Sequence, residues 1–176
     1  MSELFSIQLQ NRQQQGRDGV WLDLPTTTEQ VQAALRQIGI SSDNPQGLFI
    51  SGYFAEEEKR FAIPYNMVLA SNVDELNFLA SRLETLSTGE RAELNAALQA
   101  PQSELSSIGR ITDFPENVDY YVHLPDVRGP AQLGDYYLNR SGMVDMPEEW
   151  KGGIDTAQFG RYVAQQEQGV FTEYGY

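Results

Sequence analysis

Residues 4–9 read Leu4-Phe5-Ser6-Ile7-Gln8-Leu9, and residues 20–24 read Val20-Trp21-Leu22-Asp23-Leu24. In the first stretch Phe5, Ile7 and Leu9 alternate with Ser6 and Gln8, the period of a strand with one apolar face. The second stretch reads as its hairpin partner, with the polar Asn11–Gly19 stretch as the connection. Pro25 and Thr26 then open a helix. Thr26-x-x-Glu29 has capping-box spacing, Val31, Ala34, Leu35 and Ile38 share one face, and Gly39 ends it. Leu48–Phe54 returns as a strand. Residues 1–66 are therefore expected to form a small β-β-α-β domain, which makes the fold class α+β.

Working outward, the pattern turns helical. Asn72-x-x-Glu75 and Ser87-x-x-Glu90 are further capping boxes. The first precedes a stripe of Leu76, Leu79, Ala80, Leu83 and Leu86; the second precedes Leu94, Ala97 and Leu98, and Pro101 stops that helix. A partial turn is expected at Ser103–Ile108. This central helical domain, 67–108, has too little apolar surface for a core of its own and must lean on a neighbour. The last domain, 109–176, is mixed again. Tyr120–Leu124 and Val170–Tyr174 read as strands, Ala131–Asn139 and Asp155–Gln166 as helices, with glycines and prolines as punctuation. Gln13–Gln15 reads as a mobile loop.

The chain carries 25 Asp+Glu against 12 Lys+Arg, a net charge of -13. The three expected domains hold nets of -3, -4 and -6, so the field belongs to the whole molecule. That sign repels nucleic acid, nucleotides and anionic membrane surfaces; the natural electrostatic partners are basic protein surfaces. With no cysteine, disulfides, thiolate zinc sites and Cys nucleophiles drop out. Met1–Phe5 lacks the features of a signal peptide and no apolar run is long enough to span a bilayer, so a cytoplasmic location is expected.

Candidate chemistry is sparse. Glu56-Glu57-Glu58 lacks the alternation of a calcium loop and reads as a solvated turn. His123, the single histidine, has only Asp126 close by in sequence to orient it, and no nucleophile. Tyr120-Tyr121 and Tyr136-Tyr137 have base-stacking rings, but Asp119 and Asp135 flank them where a nucleic-acid site needs Lys or Arg. No catalytic residue, metal site or cofactor is expected, and the chain reads as non-enzymatic.

Three segments resemble a known family in order and spacing. They are Asp74-Glu75-Leu76-Asn77-x-Leu79-Ala80-x-x-Leu83-Glu84-x-Leu86, then Leu133-Gly134-Asp135-Tyr136-Tyr137 with Gly142, then Phe159-Gly160-Arg161-Tyr162. With the Gly169-Val170-Phe171 ending, they are similar to the ArdA-type antirestriction proteins carried by conjugative elements and phages. The resemblance covers about the last 105 residues. It implies an elongated protein of three small domains that forms a homodimer through 109–176. It also implies that acidic side chains imitate the phosphates of bent B-form DNA and occupy the DNA groove of type I restriction–modification enzymes.

On that resemblance the DNA-mimic surface comprises Asp74, Glu75, Glu84, Glu90, Glu93, Glu104, Asp113, Glu116, Asp119, Asp126, Asp135, Asp145, Glu148, Glu149 and Asp155. The dimer contact comprises Leu133, Tyr136, Tyr137, Leu138, Met143 and Val144. In one respect the chain departs from its relatives: Asn139-Arg140-Ser141 stands where they tend to place acids after the paired tyrosines. Two other readings remain open at this stage, an acidic adaptor for another basic DNA-binding protein and a hydrolase using a carboxylate pair.

Overall fold

The computed structural model describes residues 3–14, 18–41, 45–101 and 103–176. Strands β1 (Phe5–Asn11), β2 (Val20–Leu24) and β3 (Leu48–Phe54) form an antiparallel sheet in the order β2-β1-β3. The alternation of β1 sets its register. Phe5 lies opposite Leu24 and Ile7 opposite Leu22 on one side; on the other, Ile7 faces Tyr53 and Leu9 faces Ile50 across a bulge after Gln8. Phe5, Ile7, Leu9, Leu22 and Leu24 are buried, as one apolar face requires. Tyr53 packs its ring against Phe5 at 5.4 Å, and burial pushes its hydroxyl up to about 12.

Helix α1 (Thr28–Gln37) packs against β2, and α2 (Tyr65–Leu69) against β3. Gly39, at φ 70°, ends the α1 turn in the left-handed conformation that favours glycine. Asn11, at the end of β1, supplies what that helix end lacks: its side-chain amide donates to the carbonyls of Ile38 (2.9 Å) and Gly39 (3.4 Å). The α1 cap differs from expectation by one residue. Thr27 caps and Gln30 completes the box, because the Thr26 backbone is engaged elsewhere. The Thr26 N–H donates to Asn77 (2.7 Å) and the Asn77 amide donates back to the Thr26 carbonyl (3.0 Å).

Asn77 belongs to α3 (Val73–Glu84), whose Leu76, Leu79, Ala80 and Leu83 are buried against β2 and α5 (Ile108–Thr112). The next helix, α4 (Thr88–Gln99), starts at a reciprocal box. The Ser87 N–H donates to Glu90 (2.8 Å), and the Glu90 N–H donates to the Ser87 hydroxyl (3.3 Å). The partial turn expected at Ser103–Ile108 begins later. Ser107 caps α5, and Glu104 and Leu105 lie ahead of any helix. A short α6 (Phe114–Asn117) follows, which no periodicity announced.

The described residues divide into two compact units, Met1–Arg91 with Glu104–Val118, and Ala92–Ser103 with Asp119–Tyr176; the division falls within α4. In the second unit, α7 (Pro130–Asp135) runs on into a π-helical turn, Tyr136–Arg140. It packs on α9 (Thr156–Glu167), with the short α8 (Glu148–Lys151) between them in sequence. Neither strand expected in this unit forms. Tyr120–Leu124 and Val170–Tyr174 have the aromatic and β-branched residues that strands favour. Pro125 follows the first directly, and the second turns back on itself through a Thr172–Gly175 bridge. What remains is one reciprocal backbone pair, Leu124 with Tyr176 (2.8 and 3.0 Å). The expected Gln13–Gln15 loop falls partly outside the described residues, at Gln15.

Candidate functional site

Two features stand out on this scaffold, a surface of carboxylates and a glycine–tyrosine segment. The first unit holds 15 acids against 8 Lys+Arg, net -7; the second holds 10 against 4, net -6. None of the fifteen carboxylates implied by the resemblance is buried: ten are exposed, and Glu75, Glu84, Glu90, Glu93 and Asp135 are half-buried. Asp74 and Glu75 sit in the first turn of α3 and Glu84 at its end; Glu90 and Glu93 are on α4. Glu104 precedes α5, Asp113 joins α5 to α6, Glu116 is in α6, and Asp119 lies in the turn after it. Asp126 precedes α7 and Asp135 closes it; Asp145 precedes α8, Glu148 and Glu149 open it, and Asp155 caps α9.

Several of these groups also have local roles. Asp155 accepts from the Gln158 N–H (2.9 Å) as a helix cap. Glu90 accepts from the Ser87 hydroxyl (2.6 Å) and backbone N–H, which hold its carboxyl below the usual range. Glu29, outside the expected set, is lowered too, by its own backbone N–H and then Thr27. A general acid requires a shift in the opposite direction. Three carboxylates of the set meet cations: Glu116 with Arg82 (2.7 Å), Glu148 with Lys151 (2.6 Å) and Asp135 with Arg140 (3.4 Å). The departure at Asn139-Arg140 now has a physical consequence. Asn139 donates to Asp135 (2.8 Å), and Arg140 both pairs with Asp135 and lies 5.8 Å over the Tyr136 ring. The carboxylate that opens this segment is paired with its own downstream residues.

Glu56, Glu57 and Glu58 stand in solvent, with Lys59 on Glu56 (3.1 Å). The His123 ring nitrogen Nε2 lies 2.9 Å from the Tyr174 carbonyl oxygen, a packing contact within the second unit. Among the described residues no three His, Asp or Glu side chains gather as a metal site.

The glycine–tyrosine segment is built by close backbone approach. A Cβ at Gly134 would lie 1.9 Å from the Thr156 carbonyl oxygen, and one at Gly160 would lie 1.8 Å from that of Pro130. Only glycine at both positions lets α7 and α9 cross at this distance. Of the residues implied for a dimer contact, Leu133 and Leu138 are buried within the unit, Tyr136, Tyr137 and Val144 are half-buried, and Met143 is 76% exposed. The Tyr137 hydroxyl donates to Glu167, a residue that no spacing singled out, since its partners lie 30 and 9 positions away.

A comparison with curated proteins finds no match. A family model described as antirestriction protein (ArdA) matches residues 15–176, a span that takes in β2 and β3, the capped α3 and α4 and both glycine–aromatic segments. The chain therefore belongs to the ArdA family of antirestriction proteins.

Proposed function

We propose that this antirestriction protein acts by imitating B-form DNA, its carboxylates standing for phosphates in the DNA-binding groove of a type I restriction–modification enzyme. The supporting observation is the distribution of charge. Fifteen carboxylates lie at the surface on helices, caps and turns of both units, and each unit is strongly negative by itself. Arg82, Arg140 and Lys151 pair locally with Glu116, Asp135 and Glu148, so each pair cancels one carboxylate of the set while the net charge of each unit stays strongly negative. The partner is then a basic protein surface, not nucleic acid, and the cytoplasm is where the two would meet.

The charge is of the right size. Duplex DNA carries one phosphate per roughly 1.7 Å of axis. A homodimer at twice -13 matches the charge on about 44 Å of duplex, and its 50 acids alone match about 85 Å. A fixed carboxylate scaffold also avoids the several kcal/mol of elastic energy that bending real DNA costs.

Mimicry of this kind is a sum of weak contacts. Exposed charge pairs contribute about 0.2–1 kcal/mol each, so Asp113→Asn alone should weaken inhibition by less than about fivefold. Neutralising Asp113, Glu116, Asp119 and Asp126 together should weaken it by about tenfold or more with the fold intact. Inhibition titrations of a type I enzyme, with circular dichroism as the folding control, read both. Complete loss from one carboxamide substitution in a folded protein would point to a discrete site and against mimicry.

A further inference from the structure

Glu167 ends α9 with a tyrosine hydroxyl on each of its carboxylate oxygens. Oε1 accepts from Tyr137, and Oε2 accepts from Tyr176 at 2.9 Å. Tyr137 lies in the π-helical turn, whose wide ring is closed by the Ser141 N–H donating to the Tyr136 carbonyl (2.8 Å). Tyr176 is held from two further directions, by its reciprocal backbone pair with Leu124 and by its ring against Phe171 at 4.9 Å. The chain also makes room for its hydroxyl. Gln168 adopts φ 55°, turning the backbone out of α9, and a Cβ on Gly169 would lie 2.0 Å from the Tyr176 hydroxyl oxygen.

We propose that Glu167 is a positioning residue, a clasp that fastens Tyr176 to the Tyr136–Arg140 turn so that the turn keeps its shape only while Tyr176 is seated. Hydroxyl bonds to a carboxylate are about twice as strong as those between neutral groups, and one carboxylate here receives both. A π-turn is a rare and weak form of helix that needs such outside support. The protons of the two tyrosines report the same arrangement. Burial and then the Glu167 bond push Tyr137 up to about 12 and Tyr176 further still, with Tyr136 facing Tyr137 and Tyr137 facing Tyr176 as the remaining titratable neighbours. The proposal does not depend on DNA mimicry, because every group in it belongs to the second unit and none has to touch a partner.

Tyr176→Phe, Gly169→Ala and Glu167→Asp test it, with amide hydrogen exchange at Ser141 and tyrosinate absorbance against pH as readouts. Tyr176→Phe leaves Tyr137 and Glu167 in place, and Gly169→Ala leaves all three polar groups but denies Tyr176 its seat. Both should speed exchange at Ser141 about tenfold or more, the effect of losing one charge-assisted bond. Glu167→Asp keeps the charge but shortens the reach by one methylene. It should speed Ser141 in the same way and return Tyr137 toward the ordinary tyrosine range near 10. Ser141 protection unchanged in both Tyr176→Phe and Gly169→Ala would overturn the proposal. So would Glu167→Asp with the tyrosine titration of the unmodified protein, since the residue would then act by charge alone.

Discussion

At Gly134 and Gly160 the difference between a hydrogen and a methyl group decides whether α7 and α9 can pack. Each missing Cβ would fall far inside the van der Waals contact distance to a backbone carbonyl oxygen, at 1.9 and 1.8 Å, and a backbone cannot swing aside as a side chain does. Either Gly134→Ala or Gly160→Ala is therefore expected to cost about 1–3 kcal/mol or more, read by urea denaturation. Gly89, in the first turn of α4, has nothing within 4 Å of its Cβ position. Gly89→Ala should instead leave stability unchanged or raise it by up to about 1 kcal/mol. A mild effect at 134 or 160 would mean the helices do not cross at glycine. The sequence shows both glycines beside paired aromatics and so carries the resemblance. It does not show that they face each other, because that depends on how two segments 26 residues apart meet in space.

Among the elements, those that announce both a cap and a periodicity form where expected. β1 follows from its alternation, β2 and β3 form where strands are expected beside it, and α3 and α4 follow from Asn72 and Ser87 ahead of leucine stripes. The one-residue error at α1 comes from competition, since Thr26 with Glu29 and Thr27 with Gln30 both have box spacing, and the Thr26 backbone is held by Asn77, far along the chain. The strands expected at 120–124 and 170–174 fail for a related reason. Their propensity is real, but a strand needs a ladder, and Pro125 and the Thr172–Gly175 turn leave only one residue pair, Leu124 and Tyr176. The carboxylate surface was implied by the family pattern and not by local spacing, since nothing in a lone Asp or Glu says whether it will cap, pair or stand free. The Ser87–Glu90 box is the element whose contribution is most readily measured. Ser87→Ala should cost about 1 kcal/mol near neutral pH by thermal or urea denaturation. The Glu90 carboxyl is held below its ordinary 4.5, so its share is present above that pH and is lost as the pH falls through the lowered value. The Ser87→Ala penalty should therefore shrink in acid; a penalty that grows there would contradict the box.

For the molecule as a whole, charge sets the terms of any assembly. Two copies at -13 repel, so a homodimer needs an apolar contact to offset that repulsion. The structure narrows where to probe for one. Leu133 and Leu138 are spent inside the unit and Tyr137 is tied to Glu167, which leaves Met143, 76% exposed, as the freest apolar group of the segment. Met143→Glu should give a folded monomer in analytical ultracentrifugation, while the unmodified dimer tightens as salt is raised. An unmodified protein that is monomeric at tens of micromolar in physiological salt would remove the dimer. The central claim, however, is occupation of a DNA groove by a molecule that binds no DNA, and a competition experiment tests it most directly. Labelled duplex bound to a type I restriction–modification enzyme is titrated with this protein, and anisotropy is followed at increasing ionic strength. The account predicts stoichiometric displacement of the duplex, no retention of DNA by the protein alone, and an apparent affinity that falls with salt as screening weakens exposed charge contacts. A ternary complex that keeps its DNA, or displacement indifferent to salt, would contradict it.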